Sequence, residues 1–441
     1  LSILLSLLLP AQPMRSPDCG GILTPSGLIY LAEVSKPHAE AVLRQDLMAP
    51  TDAEVFVSSP EPSRNQITSV TVTDFSLAII SHSGLRLAID VELGVTPAPS
   101  STKQMQLAIV ADLHVEMNAA RDLELSSSAC KASLEERQST EEVQSKSKSS
   151  SQEVDKEINI DKICLEVSKL LLWPNEGLMS LTTPFPISPS CLVQYQPLAA
   201  PMFSEQGITV SLQTTFQVAG LDIPLPVNPV PFSVPEPASS SSSHLTLAFS
   251  EHFYSNLFFA LEISGAFNMS IPTSLTTASV AQKITQMGSL FQKDLPVILQ
   301  AMFRSSPRVQ LEEGKAAIKF FFTIHIGAGS PDFQSILSVN VDMSAGLLLS
   351  IIDTKMKISA ATIEDVQLSL AGSDVGPVPA ALLEELFLPV IRQEIPAQVN
   401  VVLSEGVFLP HITGFAYTAV SVLIHKDYVL VPCNLELEVR S

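Results

Sequence analysis

The sequence predicts an α+β protein built from two similar units, each a twisted antiparallel β-sheet covered by long helices. Most of the chain alternates apolar and polar residues with a period of two, which is typical of strands with one buried face. Helical periodicity appears in four places, in the order helix, strands, helix, then helix, strands, helix. A proline- and serine-rich stretch at residues 224–243 divides the chain into halves of about 200 residues, an ordinary domain size.

The four helical segments differ in length and in how clearly they begin. The first is predicted at Pro25–Met48, with Thr24 as its N-cap. The second is predicted at Val154–Trp173 and the third from about Ser274 to Met302. The fourth follows the Gly-Pro-x-Pro turn that begins at Gly376. It carries one long apolar stripe, formed by Leu383, Leu386, Phe387, Val390, Ile391, Ile395, Val402 and Leu403.

Five stretches show the strand alternation most clearly. They are Leu85–Leu93, Leu107–Val115, Ile208–Val218, Ile318–Ile326 and Leu337–Met343. Their polar positions carry mostly Ser, Thr and Gln rather than charged residues, which suits a long twisted sheet with one solvated face. The residues at 224–243 are expected to be extended where they are rich in proline and flexible through the serines.

The composition is apolar and acidic. Hydrophobic residues make up 46% and charged residues 16% of 441 residues, and the mean hydropathy is +0.30. Beyond the N-terminus no run reaches the roughly 20 apolar residues of a membrane-spanning helix, so the excess is expected to line cores or cavities. With 25 Lys and Arg against 45 Asp and Glu, the net charge of −20 argues against nucleic acid and against anionic membranes bound by charge.

The N-terminus and the cysteines point to a secreted, extracellular protein. Residues 1–13 are expected to be a secretory signal peptide whose first residues are missing, although a buried strand is an alternative interpretation. Asn268 begins the single glycosylation sequon. Five cysteines are an odd number, so at least one is free or intermolecular. A Cys130–Cys164 bridge would attach the second helix to the first group of strands.

Motifs of catalysis and of metal or phosphate binding are absent from the sequence. It contains no G-x-S-x-G elbow, no H-E-x-x-H pair, no glycine-rich phosphate loop and no Cys/His cluster. The eight histidines are scattered, and Ser81-His82-Ser83 is predicted to be a turn between two strands. We therefore expect no enzyme activity, no metal and no cofactor.

Four motifs carry a resemblance to a known family. They are GLIY (Gly27–Tyr30), VQYQPLAAP (Val193–Pro201), LAFSEHFYSNLFFALEISGAF (Leu247–Phe267) and SDVGPVPAALLEEL (Ser373–Leu386). Together they resemble the bactericidal/permeability-increasing, lipopolysaccharide-binding and cholesteryl-ester-transfer proteins and their airway (PLUNC-type) relatives. The resemblance extends over nearly the whole chain.

That resemblance implies a boomerang of two β-barrel domains joined by a central sheet, here residues 18–223 and 244–439 with residues 224–243 as the linker. It also implies a disulfide between Cys130 and Cys164, and lipid held in apolar pockets. Family members that bind lipopolysaccharide carry a basic cluster at the tip of the first domain. The corresponding residues here, 45–65 and 86–103, hold few basic side chains, so weak or no lipopolysaccharide binding is expected.

The resemblance and the helix-over-sheet pattern together predict one apolar cavity in each unit. The first is expected to be bordered by Leu28, Tyr30, Leu31, Val34, Ile163, Val167 and Leu170. The second is expected to be bordered by Phe253, Phe258, Leu386, Val390 and Ile391. Large side chains filling both sites are the alternative.

Two functions remain open from the sequence. One is a secreted protein that binds phospholipid or another apolar lipid, with an innate-defence role by family analogy. The other is a bulk or structural extracellular protein, as in egg white, that keeps the fold without functional lipid exchange. The sequence leaves the oligomeric state open.

Overall fold

The structure is a computed structural model of the chain. It describes residues 16–48, 66–96, 103–119, 122–136, 163–164, 166–172, 183–224, 230–236, 242–291, 293–329, 332–411 and 414–438. Residues 1–13, and with them the expected signal peptide, lie outside the described residues. Among the described helices, none combines the length and apolar character needed to cross a membrane.

Strands dominate these residues. In chain order they are β1 (Cys19–Leu23), β2 (Gln66–Ile80), β3 (Gly84–Thr96), β4 (Lys103–Met117), β5 (Leu123–Glu136), β6 (Phe185–Ser188), β7 (Cys191–Pro197), β8 (Met202–Ser204), β9 (Gly207–Val218), β10 (Leu221–Asp222), β11 (Leu245–Ser250), β12 (Met269–Thr276), β13 (Pro296–Glu312), β14 (Lys315–Ala328), β15 (Gln334–Ile352), β16 (Lys355–Ser373), β17 (Val407–Phe408), β18 (Phe415–Thr418), β19 (Leu423–His425) and β20 (Tyr428–Leu437). The helices are α1 (Pro25–Met48), α2 (Glu251–Ile263), α3 (Thr277–Ala281) and α4 (Ala380–Leu403), with short 3-10 helices at Val167–Leu170 and Thr285–Ser289.

The strands form three antiparallel sheets, which confirms the predicted fold class. Strands β2 to β5 form a four-stranded sheet in the first unit, and β12 to β17 form a six-stranded sheet in the second. A ten-stranded central sheet runs in the order β18-β20-β11-β1-β9-β7-β6, with β8 and β10 paired to β9 and β19 paired to β20. Two curled sheets therefore meet through a third.

Strand β1 is the point where the two halves of the chain join. It pairs antiparallel with β9 of the first half on one side, from Cys19 opposite Leu212. On its other side it pairs with β11 of the second half, from Cys19 opposite Phe249. Because the backbone ladder is continuous across this strand, the central sheet belongs to both units. The exact domain boundaries at 223 and 244 stay a prediction.

Helix α1 has the bounds and the cap that the sequence predicts. The Thr24 hydroxyl accepts a hydrogen bond from the backbone N–H of Gly27 at 3.2 Å, which satisfies one free donor of the first turn. Gly27 is required by a close approach, because a Cβ there would lie 2.2 Å from the carbonyl oxygen of His244. The helix buries a face that includes Leu28, Leu31 and Leu43.

Helix α4 also begins where the turn predicts, directly after Pro379. Its buried residues recur at every fourth position, so a single seam faces the sheet: Leu383, Phe387, Ile391, Ile395, Val399 and Leu403. Near its end the Asn400 amide holds the backbone of β16. Its Oδ1 accepts from the Ala360 N–H at 2.7 Å, and its Nδ2 donates to the Ala360 carbonyl at 3.1 Å.

Two of the predicted helices are corrected by the structure. From Ser274 to Met302 the chain forms the end of β12, then α3, a 3-10 helix and the start of β13, not one long helix. The buried side chains at the start of β13 alternate with a period of two: Val297, Leu299 and Ala301. In the sequence, the helix-like spacing of the apolar residues before them hides this strand pattern. Within Val154–Trp173, much of which lies outside the described residues, Val167–Leu170 is a 3-10 helix.

The predicted disulfide is present. Cys130 of β5 is bonded to Cys164, with their Cα atoms 5.5 Å apart. This bond fixes the short helical segment around Val167 to the outer strand of the four-stranded sheet. The spacer from 137 to 162 lies outside the described residues.

The described part of the proline-rich stretch, residues 230–236, runs along the central sheet. A Cβ on Gly20 would lie 2.5 Å from a methyl group of Val234, so only glycine allows this stretch to pack so closely on β1. At the same place the Ser16 hydroxyl donates to the Val230 carbonyl at 3.4 Å. Residues 230–236 are therefore packed on β1 and do not form a free linker between the units.

Candidate functional site

An apolar cavity of about 140 Å³ lies in the first unit, between α1, the four-stranded sheet and the central sheet. Hydrocarbon side chains form nearly all of its wall. Its lining residues are Gly21, Leu23, Leu28, Leu31, Leu85, Val115, Leu123, Leu125, Leu171, Pro201, Ile208, Val210, Leu212, Leu245, Leu247, Pro410, His411, Tyr417 and Leu435. No lysine, arginine, aspartate or glutamate is among them.

The local sequence explains why space remains here. Leu28 and Leu31 lie three residues apart on α1 and therefore share one helix face. Strand β1 contributes Gly21, which lines the cavity with backbone alone because a Cβ there would lie only 3.0 Å from Leu247 Cδ2. The result is a helix that is held over the sheet with a void between the two.

Two polar side chains border the cavity. The Tyr417 hydroxyl donates a hydrogen bond to the carbonyl oxygen of Pro410. Burial raises the pKa of this phenol well above its ordinary value, so it stays neutral. His411 Nδ1 lies 3.0 Å from the carbonyl oxygen of Leu409. When the His411 imidazole is neutral, the lining carries no charge, and it suits an uncharged hydrocarbon.

The structure brings together part of the set predicted for the first cavity. Leu28 and Leu31 line it. Ile163, Val167 and Leu170 are buried in the core beside it, but Leu171, which the sequence did not single out, is the residue of that segment in the lining.

Val34 and Tyr30 are only partly buried and lie outside the lining. Tyr30 instead connects the two halves of the chain. Its hydroxyl accepts a hydrogen bond from the backbone N–H of Leu437 at 2.9 Å, and its ring stacks on His244 at 4.7 Å between centroids. The GLIY motif therefore contributes a close contact at Gly27, a cavity wall at Leu28 and an inter-unit contact at Tyr30.

In the second unit the predicted lining residues belong to packed structure. Phe253, Phe258 and Ile391 are fully buried, and Leu386 and Val390 pack partly buried against the core. The Phe258 ring packs against two further aromatic rings, with centroid distances of 6.2 Å to Phe267 and 6.4 Å to Phe320. Large side chains occupy the place where a ligand was expected, and the second cavity stays a prediction.

Other openings in the second unit differ from the first cavity in size or polarity. A void between Leu257, Leu261 and Ile358 measures only about 10 Å³. Two clefts of about 870 and 820 Å³ are larger, but they share Glu251 and Arg308 at their rims. Charged rims retain water and do not favour a hydrocarbon ligand.

The three unpaired cysteines are not candidates for chemistry. Cys19, Cys191 and Cys433 are all buried. Burial raises the pKa of the Cys191 thiol to about 11 and that of Cys433 to about 12, so neither is a thiolate at neutral pH. Among the described residues no group of three or more His, Cys, Asp or Glu side chains is placed to hold a metal ion.

Several cavity residues could not be selected from the sequence. Ile208, Val210 and Leu212 follow the strand alternation, which predicts burial but not which buried side chains leave a void. His411 follows Pro410 in a connection between strands and has no periodic signal at all. These residues meet α1 only because the central sheet brings distant segments together.

The comparison with known proteins defines the class. A model of the C-terminal domain of the LBP/BPI/CETP family matches residues 187–437, more than half of the chain. The chain therefore belongs to this family, whose fold is used for lipid binding.

Among individual relatives, the chain is 59% identical to protein TENP of Gallus gallus over 435 residues, which covers 98% of each chain. It is 25% identical to human BPI fold-containing family B member 2 over 452 residues, covering 99% of this chain and 98% of the relative. The crystal structure of lipopolysaccharide binding protein superposes with a TM-score of 0.55 at 17% identity, covering 96% of this chain and 100% of that one. This last likeness shows the shared fold.

Proposed function

We propose that this chain is a secreted protein that holds a hydrocarbon chain of one phospholipid-like or other apolar lipid in the cavity of the first unit. One observation carries the proposal: a void of about 140 Å³ with an almost entirely hydrocarbon wall lies between α1 and the central sheet. Apolar cavities of about 150 Å³ stay dry and accept ligands the size of benzene. As formed, the void fits the end of one hydrocarbon chain of a lipid. A longer hydrocarbon chain requires the walls of the cavity to move apart.

No charged anchor is needed for such binding. Each buried methylene contributes about 0.8 kcal/mol, so about five methylenes supply about 4 kcal/mol before the cost of ordering the ligand. That contribution does not depend on charge. An acidic protein of net charge −20 can therefore hold a lipid by burial alone.

Leu31→Phe tests the site directly. The larger ring projects into space that is already empty, so the usual overpacking cost of about 1–3 kcal/mol should be largely avoided. Native mass spectrometry with lipid extraction should show lipid on the wild-type chain and much less on the variant. Val390→Trp is the matched control, since it adds bulk on α4 in the second unit.

The outcomes separate the two units. Unchanged lipid in Leu31→Phe would contradict the site proposed here. Loss of lipid in Val390→Trp, with the melting temperature unchanged, would instead place a cavity in the second unit. A melting temperature that falls in Val390→Trp without loss of lipid is the result expected of a packed region.

Lipopolysaccharide is not the ligand favoured by this chain. Its net charge of −20 repels the phosphates of lipid A, and the cavity lining offers no cation to pair with them. Surface plasmon resonance on immobilised lipid A at physiological salt should show weak or no binding. Nanomolar affinity that falls steeply with added salt would reveal a basic surface and would contradict this part of the proposal.

A bulk extracellular protein without lipid exchange is the second candidate, and the aromatic packing around Phe258 and Phe320 favours it for the second unit. A host-defence role enters the proposal only by analogy with the family. If that role depends on lipid, bacterial growth should respond to the wild-type protein and not to Leu31→Phe. If the wild-type protein and Leu31→Phe affect bacterial growth equally, an antibacterial role does not depend on the cavity.

A further inference from the structure

The cavity has a polar position in its otherwise apolar wall. His411 lines the cavity directly after Pro410. Its ring packs against a pair of stacked aromatic rings, with centroid distances of 5.6 Å to Phe185 and 6.4 Å to Phe408. The imidazole is thus positioned by packing as well as by hydrogen bonding.

The hydrogen bond of His411 fixes which ring nitrogen carries the proton. Nδ1 lies 3.0 Å from the carbonyl oxygen of Leu409. A carbonyl oxygen only accepts hydrogen bonds, so Nδ1 must be the donor. In the neutral imidazole the other nitrogen, Nε2, then carries a lone pair and acts as an acceptor.

Nε2 has no hydrogen-bond partner among the described residues. The Tyr417 hydroxyl already donates its proton to the Pro410 carbonyl, so it cannot act as a donor to a ligand in the cavity. His411 is a lining residue with an unused acceptor, and the lining contains no charged donor.

An acceptor in apolar surroundings selects among lipid head groups. An uncharged hydroxyl donates to it and loses little on leaving water once that bond is made. A carboxylate or phosphate has no proton to donate at neutral pH, and its transfer from water into an uncharged site is costly. The site should therefore distinguish lipids by their head group, even though the hydrocarbon chain of the lipid supplies most of the affinity.

We propose that the cavity takes a hydrocarbon ligand with a single uncharged hydroxyl, of the fatty-alcohol class, whose O–H donates to His411 Nε2. Its chain lies against Leu28 and Leu31 of α1 and against Leu247 of the central sheet. This proposal rests on the proposed function, because it names the ligand class of that same cavity.

The test uses the full-length chain, freed of lipid, and three probes of matched length at neutral pH. Isothermal titration calorimetry compares 1-octanol with heptyl methyl ether, which has the same number of heavy atoms but no donor, and with octanoate. The alcohol should bind about tenfold more tightly than the ether, the effect of about one net hydrogen bond. Octanoate should bind more weakly than either.

Two variants assign the effect. His411→Phe keeps an aromatic ring beside Phe185 and Phe408 but removes the acceptor. The affinity for the alcohol should then fall to that for the ether, while the affinity for the ether is unchanged. Leu31→Phe should weaken both probes together, since it fills the cavity itself.

The failures can be told apart. If neither the alcohol nor the ether binds the wild-type chain, the proposed function fails and this inference fails with it. If both bind equally, or octanoate binds best, lipid binding stands and the hydroxyl preference is wrong; these comparisons need only the wild-type chain. A preference for the alcohol that survives in His411→Phe would also overturn the role of Nε2.

Discussion

Replacing Cys130 and Cys164 together with alanine removes the covalent link between β5 and the segment that carries Leu171 into the cavity wall. The two cysteines are 34 residues apart in sequence. In the chain-entropy description, opening a loop of that length costs about 3.8 kcal/mol of unfolding free energy. Ile163 and Val167 are buried beside the bond, so the segment retains its hydrophobic contacts without it.

Equilibrium unfolding in urea measures this loss. The double variant should have a lower midpoint than the wild-type chain, and a reductant should lower the wild-type midpoint to a similar value. The reductant acts on this bond alone, because the other three cysteines are unpaired and buried. Adding reductant to the double variant is the control and should change nothing.

Coinciding urea curves for the two proteins would refute the reasoning, since the bond would then restrict the unfolded chain too little to matter. The variant should also exchange ligand faster, because Leu171 forms part of the cavity wall. Stopped-flow displacement of a fluorescent lipid measures that rate, and an unchanged rate would show that packing alone holds the wall in place.

Three further predictions concern other positions. Burial raises the pKa of the Asp18 carboxyl to about 6, although hydrogen bonds from Thr214 oppose the shift. The folded state therefore binds this proton more tightly than the unfolded state does, so the free energy of unfolding falls as pH rises from about 4 to about 6. Asp18→Asn should flatten that part of the curve of unfolding free energy against pH. Asn400→Leu leaves both backbone groups of Ala360 unpaired and should cost about 2–4 kcal/mol in urea unfolding, whereas an unchanged midpoint would mean that water replaces the amide. Asn268 is exposed, so the protein produced through a eukaryotic secretory pathway should lose mass on treatment with an N-glycosidase, and a constant mass would show an unused sequon.

The elements that local patterns specify were predictable. Thr24 as cap and the apolar face of α1 define that helix without any help from the rest of the chain. The fourfold spacing of α4 and the strand alternation at Ile318–Ile326 likewise reflect one buried face each. The prediction failed from Ser274 to Met302, where the end of one strand, two short helices and the start of a second strand follow one another. Their apolar residues together imitate a single helical period.

The candidate site was predictable only in part, because most of its wall is made by non-local pairing. Leu28 and Leu31 could be chosen as the inner face of α1, but Leu247 reaches them only through the pairing of β11 with β1. Tyr30 has the same helical surroundings as its neighbours, yet it bonds to Leu437 more than 400 residues away in sequence. No pattern within one segment distinguishes a cavity wall from a contact of that kind.

The position of β1 gives a segment of five residues a disproportionate influence on solubility. It is bonded on both sides, to β9 and to β11, so its removal would leave two unpaired strand edges facing each other in the middle of the largest sheet. Unpaired edges recruit strands from other molecules. A molecule that lost only Cys19–Leu23 would therefore be open to strand exchange, in which the same five residues of a second copy could complete its sheet.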